Sequence, residues 1–425
     1  MVTDNLNETS YNNHDHHTRH PRLRLGVFGF GCVGQGLYHV LHETQGVKAE
    51  IKKICVKTKN KQRPLAEDLF TFNKEEILNN PDIDVVVELI DDAAAAFEIV
   101  KAALQNGKSV VTANKKMLAE HLEEIYQLQK KYNKAVLYEG AVCGSIPILR
   151  NLEEYYDNDL LNSIEGIFNG STNFILTKVF EEKKNYLDAL KQAQDLGFAE
   201  SDPSLDVKGF DPKYKLVIAM AHTFGVFVTP EEVINIGIDK ISDLDLKFAR
   251  ENNYTIKLIA RAFKEGGKVF GFVAPQFIEA TNPLASVRNE FNAVQVQGAF
   301  AEKQLFIGKG AGSYPTGSAV LSDISALSYD YAYEYKKRHQ LSGLVYSNDL
   351  LVEAFVSFDA DHAIKIQDFE QFESGYSALG KQYMAGLVKL EKLKEWSQTP
   401  GVGIILAPNA KFVSASKQTE KLQLA

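Results

Sequence analysis

The stretch DLGFAESDPSLDVKGFDPKYK, residues 195–215, gathers Glu200, Asp206, Asp211 and Lys215 around glycine and proline turns. Carboxylates grouped in this way can hold a polar, cationic small molecule, and an ammonium beside them can move a proton. Asp211-Pro212 predicts a helix start, with Asp211 as N-cap and Pro212 in the first helical position. Asp211 and Lys215 would then share one face. The same residues also suit an acid-rich loop that only caps a helix and carries one surface ion pair. The elements around them decide between the two.

The first such element is RLRLGVFGFGCVGQGLYHVL, residues 22–41. Leu23, Leu25, Val27 and Phe28 suit a buried strand, and Val33, Leu37, Val40 and Leu41 follow with helical spacing. Between them, Gly29, Gly31 and Gly34 form G-x-G-x-x-G. The first glycine permits the tight turn and the second lets backbone approach a pyrophosphate. The third lets helix and strand pack closely, and the helix N-terminus offers N–H groups to the phosphates. A second strand is expected from Ala49 to Val56. An NAD site usually carries an acid at the end of that strand for the ribose 2′-OH. Here Val56 is followed by Lys57, Thr58 and Lys59, then Lys61 and Arg63. Those cations suit a 2′-phosphate, so NADP(H) is preferred, with NAD(H) as the other option; solvated loop lysines are the plainer reading.

Further strands are expected at 81–90 and 108–115, and helices at 94–106 and about 117–132, before AVLYEGAVCGSIPIL at 135–149. Strands alternating with helices indicate an α/β fold with a doubly wound parallel sheet, whose ligands bind beyond the carboxyl ends of the strands. Asp91, Lys115 and Glu139 are each expected at such an end.

These segments resemble those of the homoserine dehydrogenases. GVFGFGCVGQG, VVELI, VVTANKKMLA, YEGAVCGSIPILR, EGIFNGSTNFILT, AQDLGFAESDPSLDVKGFDPKYKLVIAMA and GKGAGSYPTGSAVLSDI occur in the family's order over residues 22–330. The resemblance implies a Rossmann-type nucleotide domain, an open-sheet substrate domain and interconversion of L-homoserine and L-aspartate 4-semialdehyde with NAD(P). It implies Lys215 as the acid/base at the substrate oxygen and Lys115 as the other proton-transfer candidate. It places Glu200, Asp206 and Asp211 around the substrate, with Asn169, Gly170, Ser171 and Thr172 near it. Cofactor contacts carry over to Gly29, Gly31, Cys32, Val33, Gly34, Lys57, Lys59, Lys115 and Gly312. Glu139, Val142, Gly144 and Ile146 match the segment that binds a structural monovalent cation, commonly sodium, largely through carbonyls. A homodimer is a family expectation. On physical grounds a lysine serves such a reaction if burial or a neighbouring cation lowers its pKa towards neutrality; Lys115 and Lys215 would depress each other, while Asp211 would oppose that. The chain departs from the family at Asp91-Asp92, where a Gly-Gly loop is usual beside the cofactor. It also departs at Cys143, in place of a small residue, and at Ser171, in place of the commoner Thr.

At 425 residues, 45% hydrophobic and 24% charged, the chain suits a globular protein of two or three domains. Net charge −8 argues against a nucleic-acid partner. No apolar run approaches a membrane span of about 20 residues. Cys32, Cys55 and Cys143 are too scattered for a disulfide framework or zinc site; reduced, mostly buried thiols in a cytoplasmic protein are expected. Residues 1–21, with His14, His16, His17 and His20, read as a disordered leader without function. The expected division is 22–150 for the NAD(P)-binding domain, completed by about 311–340, and 151–310 for homoserine binding, catalysis and dimerisation. Residues 345–425 form a small C-terminal α+β extension. That extension is either a degenerate ACT-like module or an accessory without ligand, the second being favoured. Two rival functions are another amino-acid dehydrogenase of similar layout, which would lack NGSTNFIL and the Glu200–Lys215 group, and a non-catalytic NAD(P)-binding sensor, which would not need both lysines.

Overall fold

A computed structural model describes residues 22–414 except 60, 342, 360–363 and 379. The leader expected at 1–21 lies outside the described residues. Strands β1 (Leu23–Phe28), β2 (Ala49–Cys55), β3 (Phe70–Thr71), β4 (Val85–Glu88), β5 (Ser109–Thr112) and β6 (Val136–Leu137) form one parallel sheet in the order β3-β2-β1-β4-β5-β6. Val85, Val86 and Val87 are buried on both faces, as a sheet covered by crossover helices requires. Helices α1 (Cys32–Glu43), α2 (Ala93–Gln105) and α3 (Lys115–Tyr132) supply the cover. The strand order reverses direction between β1 and β4, so the crevice of this sheet opens where β1 ends at the glycine turn and β4 ends at Glu88.

Several boundaries depart from the sequence reading. The strand expected at 81–90 is confined to Val85–Glu88, because Asp82 and Asp84 leave the ladder to bind Arg24. The strand expected at 108–115 stops at Thr112, and Lys115 is the first residue of α3, whose N-cap Asn114 accepts from the Met117 N–H at 3.0 Å. Of the three thiols only Cys143 is buried; Cys32 is exposed at the first turn of α1 and Cys55 is partly exposed.

The chain then enters a second, mixed sheet. Strand β7 (Leu161–Ile167) leads into helix α4 (Gly170–Glu181), and helix α5 (Phe210–Phe224) follows. Strands β8 (Tyr254–Glu265), β9 (Lys268–Glu279), β10 (Phe291–Gly298) and β11 (Lys303–Lys309) complete the central part. Helix α6 (Ser313–Leu327) returns to the first sheet and lies along α1. The two cross backbone against backbone: a Cβ on Gly36 would fall 2.0 Å from the Ser313 carbonyl oxygen, and one on Gly317 2.6 Å from the Gly36 carbonyl carbon. Strands β12 (Leu350–Asp359), β13 (Gln371–Ala378) and β14 (Lys381–Lys389), helix α7 (Leu390–Gln398) and strand β15 (Gly403–Leu406) end the described fold, with a last short strand at Phe412–Ser414.

The C-terminal strands are not a separate sheet. The path runs β11-β10-β7-β8-β9-β15-β12-β14-β13, with β9 and β15 joined through Gln276 and Leu406. Within the last four strands the order by sequence is fourth, first, third, second, each neighbour antiparallel. That is the order of a split β-α-β-β-α-β unit. One of its two helices is present as α7; where the other would stand, the described residues hold only a short 3-10 turn at Ile366–Asp368. An apolar cluster spans the join, with Phe270 and Phe272 of β9 packed among Val352, Val356, Leu393 and Ile404.

Candidate active site

Helix α5 carries the densest group of buried charge. Its N-cap is Gly209, in the left-handed region at φ 81°, and Phe210 is the first helical residue. Asp211 is therefore the second residue of the helix rather than its N-cap, and Pro212 the third. The helix still tolerates Pro212, since its absent N–H would be unpaired in the first turn. Both Asp211 and Lys215 point inward, buried, one turn apart. The far end of α5 is fixed by His222, whose Nδ1 lies 2.6 Å from Glu153 and Nε2 2.8 Å from the Tyr138 hydroxyl.

Asp211 is the hub. Its Oδ1 lies 2.7 Å from Lys115 Nζ and its Oδ2 2.8 Å from Lys215 Nζ. The Asn169 amide donates to Asp211 Oδ2 at 2.8 Å and to Asp206 Oδ1 at 2.6 Å. Lys215 Nζ also donates to the Phe168 carbonyl at 2.7 Å. Asn169 reaches these acids because it is the N-cap of α4: its Oδ1 accepts from the Thr172 N–H at 2.8 Å, which turns its NH₂ group towards α5. Gly170 is required at the next position, where a Cβ would fall 2.5 Å from the Glu290 carbonyl oxygen. Ser171 is anchored on the Phe198 carbonyl and Thr172 is fully buried.

Burial alone would raise the Asp211 carboxyl, yet the two ammoniums hold it well below the usual carboxylate range. Burial, and then the Asp211 charge, raise Asp206. The Asp211 carboxylate raises Lys115 above its ordinary range, against burial. The mutual depression expected of the two lysines therefore does not set the Lys115 balance; the carboxylate between them does. Lys115 keeps its side chain 42 % exposed, whereas that of Lys215 is 6 % exposed. Glu200 is exposed in the same neighbourhood and its charge contributes to the rise of Lys115.

At the crevice of the first sheet the three glycines divide their work. A Cβ on Gly29 (φ +95°) would meet the Leu89 carbonyl oxygen at 2.6 Å, and one on Gly34 the Gly29 carbonyl oxygen at 2.7 Å, whereas one on Gly31 would meet nothing within 4 Å. The turn is thus tight at the first, packed at the third and open at the second, which is the cradle a pyrophosphate needs. Cys32 and Val33 begin α1 beside it, and Gly312 (φ +117°) precedes α6, whose Ser313 hydroxyl donates to the Cys32 carbonyl at 2.8 Å. Lys57 and Lys59 are exposed just past β2. Asp92, one of the two carboxylates out of place for this family, accepts from the Ala95 N–H at 3.0 Å as N-cap of α2, so its charge is committed to that helix.

The turn after β6 places Glu139, Val142, Gly144 and Ile146 together. The Glu139 carboxylate accepts from the Leu149 and Arg150 N–H groups, each at 2.8 Å. Among the described residues the Val142 and Gly144 carbonyl oxygens accept no hydrogen bond. Cys143 (φ 57°) and Gly144 (φ 53°) both lie in the left-handed region, which turns successive carbonyls in different directions. Groups the sequence reading missed surround the site. Glu88 is fully buried, bonded to Thr112 at 2.6 Å, and burial pushes it up to about 7. Asp323 bonds Arg150 at 2.9 Å and the Glu139 N–H at 2.8 Å, and burial pushes it to about 7. An acid closing the apolar run VVVE was the available signal for Glu88; Asp323 had none.

Comparison with known proteins decides the family. The family described as homoserine dehydrogenase matches residues 147–325, and its NAD-binding domain matches residues 29–139. The chain is 40% identical over 314 residues to homoserine dehydrogenase of Bacillus subtilis, covering 72% of each chain. The chain belongs to the homoserine dehydrogenase family. As a member it is an NAD(P)-dependent oxidoreductase. It is also 37% identical over 310 residues to the Helicobacter pylori homoserine dehydrogenase, covering 71% of this chain and 73% of the relative. Among solved structures, the Thiobacillus denitrificans homoserine dehydrogenase superposes with TM-score 0.80 at 28% identity, over 91% of this chain and 98% of that one. A hyperthermophilic archaeal homoserine dehydrogenase in complex with NADPH superposes with TM-score 0.64 at 28% identity, over 73% and 99%.

Proposed function

We propose that Lys215 and Lys115, held on the two oxygens of Asp211, form the proton-transfer pair for reversible interconversion of L-homoserine and L-aspartate 4-semialdehyde. The observation that carries this reading is the single carboxylate bridging two ammoniums at 2.7 and 2.8 Å. A bound nicotinamide cofactor supplies the hydride acceptor or donor. Lys215 is fixed by Asp211 and the Phe168 carbonyl, which leaves one of its three N–H groups for a substrate oxygen. Lys115, exposed towards the crevice and raised in pKa, remains an ammonium, so it donates a proton in the reducing direction. Glu200, Asp206 and the NGST turn of Asn169 to Thr172 bind the substrate, its ammonium meeting the acids.

NADP(H) is the preferred cofactor, with Lys57 and Lys59 meeting its 2′-phosphate where an NAD site would carry an acid. A monovalent cation, sodium, fits the Val142 and Gly144 carbonyls beside Glu139 and Ile146, and its role is structural. The chain forms a homodimer through the β10–β11 region, where Phe291, Phe300 and Ile307 are 36, 86 and 54 % exposed; light scattering of the purified protein should give twice the chain mass. Its three unpaired cysteines fit a cytoplasmic setting.

The test follows nicotinamide absorbance with L-homoserine. NADP should be reduced faster than NAD, and Lys59→Glu should reverse that order. Lys215→Ala should lower kcat by roughly 10²–10⁴-fold with cofactor binding intact. Undiminished turnover in Lys215→Ala would remove the lysine assignment, and no turnover in the unaltered protein would favour the sensor.

A further inference from the structure

Where the C-terminal unit meets the start of α5 lies a cavity of about 500 Å³, lined by Lys208, Lys213, Asp239, Lys240 and Lys394 beside Phe210. It is separate from the active site: Lys115, Asp206, Asp211 and Lys215 do not line it. Its volume falls in the range of small-molecule sites, about 300–1,000 Å³.

Lys213 is the unusual member. It is only 7 % exposed, yet among the described residues its ammonium makes no hydrogen bond or ion pair; it lies 4.8 Å from the centre of the Phe210 ring. Burial lowers its pKa, Glu231 opposes that, and the Lys394 charge lowers it further, so a second ammonium stands close by. Lys240 donates to the Ser397 and Thr399 carbonyls and brings its charge to the end of α7. Lys208 and Lys394 stand exposed at the rim. Four ammoniums and one carboxylate line the cavity, with Glu231 acting on Lys213 from outside the lining, so the walls carry a net positive charge that a bound anion would offset. Lysines bind phosphate as point charges, and the Phe210 ring offers an apolar wall to an organic body.

We propose that this cavity binds a small phosphate-bearing anion, which ties the C-terminal unit to the helix that carries Asp211 and Lys215. The inference does not depend on the reaction, because its readout is binding. Trp396, the single tryptophan of the chain, sits on α7 beside the lining residue Ser397 and is 8 % exposed. The full-length protein is titrated with inorganic phosphate and, separately, with glycerol 3-phosphate, at constant ionic strength kept with potassium chloride, while Trp396 fluorescence is followed. A saturable change is expected with one or both, the tighter probe distinguishing free phosphate from a phosphate ester. Lys213→Met and Lys394→Glu should each weaken apparent binding at least roughly tenfold. Lys394 is exposed, so Lys394→Glu decides the matter if Lys213→Met does not fold. Lys59→Glu, run in parallel, should leave the response unchanged. A response that fails to saturate, that survives Lys394→Glu, or that is lost in Lys59→Glu and so belongs to the cofactor loop, overturns the proposal.

Discussion

A carboxylate shared by two lysines gives the proton chemistry a direction. With Lys115 raised by Asp211, the ammonium form persists through neutral pH, and the base needed to oxidise an alcohol is scarce there. Oxidation of L-homoserine should therefore quicken as pH rises into the lysine range, while reduction of the semialdehyde stays level through neutrality; steady-state rates in both directions across pH check this. Glu88 is a second titratable residue with a measurable signature. Its folded value of about 7 lies above the usual glutamate value of about 4.3, so the folded state binds the proton more tightly. Its stabilising effect is full below about pH 4.3 and is lost as pH rises through 7. Glu88→Gln should remove this loss, making the protein more stable above neutrality by on the order of 3 kcal/mol and flattening its stability between about pH 4.5 and 7 in denaturant titrations.

At the scale of elements, the site depends on where two helices begin. Asn169 caps α4 with its oxygen and gathers Asp206 and Asp211 with its nitrogen. Asn169→Ala should cost about 1 kcal/mol as a lost cap. It should also raise KM for L-homoserine while leaving the Kd for NADPH unchanged, which thermal melts and kinetics together would show. Much of this arrangement was legible in the sequence because it is local. The roles of Gly29, Gly31 and Gly34 follow from backbone geometry, and the spacing of Asp211 and Lys215 follows from the helical repeat. The start of α5 was misplaced by two residues, since Gly209 in the left-handed region takes the cap expected of Asp211. Other features depend on partners distant in sequence. Lys115 meets Asp211 only when α3 and α5 pack together, and Asp323 meets Arg150 only when α6 returns to the turn after β6. No periodicity within a segment records such meetings. The joining of β15 to β9 was equally hidden, because the apolar alternation of a strand does not name its neighbour.

For the whole molecule, that join makes the C-terminal unit part of the second sheet's core. Ending the chain at residue 344 would strip Val352, Val356, Leu393 and Ile404 from Phe270 and Phe272 and leave β9 unpaired on that edge at Lys268–Val269 and at Gln276. The shortened protein should aggregate, seen as turbidity and as loss of the cooperative melt. The return of α6 has a consequence during synthesis. Cys32 and Ser313, joined by a hydrogen bond, are 281 residues apart. A ribosome emits the glycine turn and α1 early, but the helix that seals their outer face arrives only after most of the second sheet has been made. The nascent first domain therefore waits with the Gly36 side of α1 uncovered, through a period of about 14–56 s at typical elongation rates of about 5–20 residues per second. Transcripts that slow translation between the codons for β6 and α6 would prolong that exposure, and chaperone capture of stalled chains should be greatest for chains arrested just short of Ser313.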